Sequence, residues 1–291
     1  MTNSPEAPTR HAQDERERLH RALARDARYG HYVRIPERIC RCLDYFKVAS
    51  ERRAVRECLH SYYLFIGVVD DFIDSGRVEA GREILEQLGA GGGGGGASFD
   101  EETKRSRARL VTEVLQSHLS PEIYPPVIEK LEELYRAVVG ERESATMRAY
   151  VVQRKAVGRL TAELSYLLIR PLLGRECVDL RRFLQEVGEV GCLIDSTIDL
   201  RHDGRLGLLS FRPTLRDHLR LAARTLREGL TVSLNHPRLS GLFLEGLCDD
   251  LFDRLRARPA HAAHGWPDGA RRVRLRARGV TPKAGPCNPS R

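Results

Sequence analysis

Strand-like alternation of apolar and polar residues is scarce in this chain, and glycine-punctuated hairpin signals between short β-rich runs are missing, which excludes a β-rich fold. No apolar run approaches the ~20 residues of a membrane-spanning helix. Residues 1–18 are polar and charged, without the apolar core of a signal peptide. The seven cysteines are odd in number and scattered, and no CxxC pair occurs. A disulfide framework and a cysteine metal site are both unsupported, and a reducing cytoplasmic setting is the default expectation. The glycine run Gly89–Gly96 is followed by Ala97-Ser98-Phe99. The Gly-Lys-Ser/Thr that would make it a phosphate-cradling loop is absent, so 89–98 reads as a flexible linker. No internal repeat is evident.

What remains is helical. Of the 291 residues, 41% are hydrophobic and 30% charged, the balance of a globular protein. Apolar residues recur at i, i+3 and i+4 over long stretches. The periodicity starts near Arg34 with Ile35, Ile39, Leu43 and Phe46. Ser50 stands where it would cap a run from Arg52 to Ile73, which stops at Ser75-Gly76. Further helices read at Asp100–Leu119, Pro121–Val139, about Ser144–Ile169, Leu180–Asp203 ending at Gly204, Thr214–Thr231 and Pro237–Leu255. The expected architecture is one all-α domain over residues 31–256, preceded by a polar, flexible N-terminus (1–30) and followed by a basic disordered tail (257–291).

The formal net charge of +8 suggests a polyanion partner, but its distribution does not. Nine Lys and Arg residues after Arg254 face a single acid, Asp268, so the tail accounts for the excess. The folded part is near neutral, which argues against nucleic acid. A basic tail can still attract polyanions or anionic lipid.

Two acidic clusters carry the chemistry. Asp70-Asp71-Phe72-Ile73-Asp74 closes the most apolar stretch of the chain, Tyr62 to Val69. A helix apolar nearly all round is buried, and three carboxylates at its end need a cation or hydrogen bonds in compensation. Asp70 and Asp74 share a face. The second cluster places Asp195, Asp199 and Asp203 at i, i+4 and i+8, after the apolar run Val187–Ile194. Stacked like charges cost helix stability unless something positive binds them. Ser196 or Thr197 would add a hydroxyl. A third pattern, Asp249-Asp250-Leu251-Phe252-Asp253, is followed by Arg254 and Arg256 and reads as a solvated face. Hard oxygen donors on two helices suit Mg²⁺, completed by substrate phosphates. Facing carboxylate walls would clamp a diphosphate and favour its departure as a leaving group. Tyr62, Tyr63, Phe65, Phe72 and Tyr166 are placed to line an apolar pocket for a carbocation, with ordinary core packing as the alternative.

Over residues 35–255 these features resemble the class I isoprenoid synthases: terpene cyclases, trans-prenyl diphosphate synthases and squalene/phytoene synthases. Asp70–Asp74 resembles the first aspartate-rich motif, and Asp195, Asp199 and Asp203 stand at the second. Asp199 and Asp203 depart from the Ser/Thr and Glu of cyclases. Arg53-Ala54-Val55 and the stretch Asp195–Gly207 are similar to phytoene synthases. The resemblance implies an antiparallel helical bundle around a central cavity, several Mg²⁺ ions held by all six aspartates, and an arginine that senses diphosphate. Arg148 fits that last role best; Arg154 and Lys155 are alternatives, and Arg205 would also contact the diphosphate. Gly158 stands where the family's helix breaks on closure. Only one Arg follows the first cluster, at Ser75-Gly76-Arg77-Val78, so the paired arginines of elongating enzymes are missing. The family's closing Arg-Tyr pair does not occur after Arg254. The reading implied is a cyclase (a lyase) acting on farnesyl or geranylgeranyl diphosphate. The alternatives are a condensing transferase and, outside enzymes, a non-catalytic helical binding module. A homodimer is left open. A di-iron bundle is disfavoured, because Glu57…His60 has only Glu17…His20, in the polar N-terminus, as a partner pair.

Overall fold

The computed structural model describes residues 18–248, except 19, 27–28, 75–77, 90–101, 242–243 and 246–247. The chain divides into two compact units, Met1–Leu244 and Glu245–Arg291. The Gly-rich segment, the tail and the third acidic pattern lie outside the described residues. Among the described residues the first unit is all-α, apart from an isolated bridge between Ser50 and Leu173.

Eight longer helices carry this unit: α1 (Gly30–Tyr45), α2 (Arg52–Asp74), α3 (Val78–Gly89), α4 (Glu102–Ser117), α5 (Tyr124–Glu143), α6 (Met147–Ile169), α7 (Val178–Leu206) and α8 (Leu215–Asn235). Helices α5, α6, α7 and α8 each pack on the next, α2 packs against α1, α3 and α4, and α2 also touches α6. The core follows this plan. Val55, Leu59, Tyr62, Leu64 and Phe65 of α2 are fully buried, with Leu43, Ile84, Leu115, Val127, Leu164 and Ile169 around them. Helix α2 is thus buried nearly all round, as its apolar run requires.

The core begins earlier than the pattern near residue 31 indicates. Residues 20–24 are helical, and both Leu23 and Tyr29 are buried. The Tyr29 side chain reaches the first acidic cluster, so among the described residues Leu23 and Tyr29 belong to the folded unit. Three helix boundaries also differ from those read in the sequence. Ser50 caps nothing: it pairs as a bridge residue, and its hydroxyl is buried without a partner. Helix α6 starts at Thr146, whose side chain accepts from the Ala149 N–H, while Ser144 donates back to the Gly140 carbonyl. Helix α7 runs through Gly204 and ends at Gly207, which takes the left-handed conformation (φ 73°) that glycine adopts without a Cβ penalty.

Helices α6 and α7 form the closest crossing. A Cβ at Gly158 would stand 2.1 Å from the Gly188 carbonyl oxygen, and one at Gly188 would stand 2.4 Å from the Gly158 carbonyl oxygen. Backbone meets backbone there, and any side chain forces the helices apart. One turn further on, buried Glu163 is held by Arg181 and by Gln185 at 2.7 Å. A smaller core of Tyr150, Val151, Leu193, Leu200 and Leu221 sits between α6, α7 and α8. It turns the Leu193/Leu200 face of α7 inward and so sets which way the aspartates of that helix lie.

Candidate functional site

The first cluster ends α2. Asp70 is half-buried and Asp71 exposed; the Asp74 side chain lies outside the described residues, although its backbone is helical. Two tyrosines at the start of α1 reach them. The Tyr32 hydroxyl donates to Asp70 Oδ2 at 2.8 Å, and the Tyr29 hydroxyl to Asp71 Oδ2 at 3.4 Å. Gly67, one turn before Asp71, makes this approach possible. A Cβ there would stand 2.9 Å from Tyr32 Cδ2 and 3.0 Å from Tyr29 Cδ1. Its missing side chain lets both rings lie on α2 with their hydroxyls at the carboxylates.

The second cluster lies along α7, with Asp195, Asp199 and Asp203 all half-buried. Arg154 of α6 organises it. Its Nη2 donates to Asp195 Oδ2 at 3.3 Å, its Nη1 to Glu141 Oε2 of α5 at 3.3 Å, and its Nε to the Cys192 carbonyl at 3.2 Å. Burial works against the charge of Arg154 but is outweighed by Glu141, Cys192, Asp195 and Tyr150, which hold the guanidinium above its ordinary range. Tyr150 donates to Ser196 Oγ at 2.9 Å. Its phenol is pushed up to about 12 by burial, opposed by Arg154 and assisted by Glu141 and Asp203.

Cys192 lies three residues before Asp195 on α7. Its thiol is pushed up to about 12, first by burial, with Arg154 opposing and Asp195, Glu141 and Asp70 adding to the rise. Asp195 lies on the same helix as Cys192, and Asp70 of α2 is the smallest of these contributions. Cys192, Glu141, Tyr29 and Tyr32 were not legible as site residues. Nothing in their spacing marks them, and each enters only through tertiary contact.

Other candidates fall elsewhere. Arg148 is exposed in the first turn of α6, and Arg154, six residues on, makes the contact with Asp195. Lys155 faces away from the aspartates of α7 and bonds Glu189 at 2.8 Å and Glu228 of α8 at 2.9 Å. Arg205 is exposed in the last turn of α7. Ser196 donates to the Cys192 carbonyl, while Thr197 donates to the Leu193 carbonyl and pairs with Thr225, so both hydroxyls serve helix packing. The aromatic candidates are buried in the core. Tyr62 donates to the Thr161 carbonyl, Tyr63 pairs with Ser165, and Tyr166 accepts from the Cys177 N–H. Phe65 and Phe72 are buried. A groove of about 810 Å³ lies between α7 and α8, lined by Lys155, Glu186, Glu189, Arg224 and Glu228. It flanks the first half of α7, away from the Asp195–Asp203 stripe.

The donors at the acidic clusters are all oxygen, the chemistry that suits Mg²⁺. Among the described residues no three His, Cys, Asp or Glu side chains already converge as a metal site. Comparison with known proteins gives no match: no family model, no curated protein and no solved structure resembles this chain significantly.

Proposed function

We propose that the chain is a Mg²⁺-dependent class I isoprenoid synthase that ionises an allylic prenyl diphosphate, with cyclisation of a farnesyl or geranylgeranyl substrate as the leading branch. The observation that supports this most is that both acidic clusters are built into the packing: Tyr32 and Tyr29 meet Asp70 and Asp71 at the end of α2, and Arg154 meets Asp195 on α7. Asp70, Asp71 and Asp74 would hold metal at the end of α2, and Asp195, Asp199 and Asp203 along α7. Mg²⁺ held by these carboxylates would supply the positive charge that favours departure of the diphosphate. The chain's own residues do the rest. Tyr32 and Tyr29 orient the first carboxylates. Arg154, held between Glu141 and Asp195, keeps a permanent cation beside the second cluster, ready for a diphosphate oxygen. Replacing Asp70 or Asp195 by Ala should lower Mg²⁺-dependent diphosphate release from farnesyl or geranylgeranyl diphosphate at least a hundredfold. Turnover retained in both variants sinks the proposal.

A second reading, a non-catalytic helical binding module, is favoured by one observation: Asp195 already has a resident cation in Arg154. On that reading the acids are structural, and Asp195→Ala costs stability without affecting any metal-dependent binding.

A further inference from the structure

Helix α8 buries Leu221, Thr225, Gly229 and Val232 against the bundle. Its outer face carries a second apolar row. Leu215, Leu219, Leu226, Leu230 and Leu234 are 55–80% exposed, and at helical spacing they form one stripe about 28 Å long. Exposed Arg216, Arg220 and Arg227 lie along one edge of that stripe. The two acids of the helix are engaged elsewhere: Asp217 in the capping box with Thr214, Glu228 with Lys155 and Arg224. The outer face is therefore leucine bordered by a net positive edge, with Asp217 near Arg216 and Arg220 as the single acid on that side.

We propose that this face of α8 docks on an anionic lipid surface, with the helix lying in the plane of the interface. Leucines enter the acyl boundary and arginines meet lipid phosphates, the arrangement by which amphipathic helices bind membranes in-plane. No helix among the described residues is long and apolar enough to cross a membrane. A second copy of the chain fits less well. The five leucines would bury about 1,000 Å² between two copies, the lower bound for a specific interface. In a two-fold antiparallel pairing like edges meet, so each arginine row would face its own copy. Docking of this face does not depend on the proposed chemistry.

The test is cosedimentation of the full chain with vesicles of phosphatidylcholine, with and without 30% phosphatidylglycerol. Wild type is compared with Leu219→Ser/Leu226→Ser/Leu230→Ser. Both carry the basic tail, which binds anionic lipid by charge alone, so a difference between them belongs to the stripe. The leucine variant should bind anionic vesicles at least tenfold more weakly, with an unchanged helical circular dichroism spectrum. Should that variant misfold, Leu226→Trp in a Trp266→Phe background gives a second readout: its emission should shift to the blue on anionic vesicles. Equal binding by wild type and the leucine variant overturns the proposal. So does an unshifted emission from the introduced tryptophan, or a wild-type dimer that the leucine variant converts to a monomer.

Discussion

His20 shows how one side chain feels its neighbourhood. Burial, with His118 and His60 adding, lowers its pKa to about 4, and its Nε2 is buried without a partner. His60 and His118 are lowered too, each mainly by burial. A histidine whose folded pKa lies below its unfolded value favours the fold when neutral. Its contribution is complete above about pH 6.5 and declines as the pH falls toward 4. Urea unfolding between pH 7.5 and 4.5 should show stability falling by up to about 3 kcal/mol, the roughly two pH units between 6.5 and 4.5 at about 1.4 kcal/mol each. His20→Gln should flatten that slope; an unchanged slope places the acid sensitivity in other groups. At this scale the site was legible only in part. Asp70 and Asp195 stood out because carboxylates after apolar runs demand an explanation. Tyr32 and Glu141 did not, because each is an ordinary residue in its own helix: Tyr32 meets Asp70, and Glu141 meets Arg154, only through packing. Arg154 was a candidate behind Arg148; only the rotation of α6 against α7 decides which arginine faces Asp195.

Among the helices, the apolar run of α2 could be read directly, since it is local. The Thr214–Asp217 capping box that opens α8 emerges from the structure. The differences arise where tertiary contact overrides local preference. Gly204 stays helical with Pro213 packed against it, and the chain turns at Gly207. Ser50 is drawn into a bridge with Leu173 rather than a cap. Gly158 lies inside continuous α6 at its crossing with α7. Gly158→Ala should destabilise the fold by about 3 kcal/mol, the upper end of overpacking costs, as read by urea denaturation. A variant as stable as wild type would show that the helices are not held at backbone contact there.

For the whole molecule, the all-α fold class was legible from periodicity alone. How the helices meet was not, because register between helices leaves no trace in spacing. The feature that matters is Arg154, a fixed charge between Glu141 of α5 and Asp195 of α7. The leucine stripe on α8 is equally a property of the assembly. Periodicity marks α8 as amphipathic, but only the packing shows which leucines the bundle leaves uncovered.

The most direct test of shared metal between the two clusters is calorimetric titration of pyrophosphate into the full chain, with and without Mg²⁺. Binding is expected only when Mg²⁺ is present, and should be lost in Asp70→Ala and again in Asp195→Ala. Binding that ignores the metal, or that survives in both variants, would contradict the assignment.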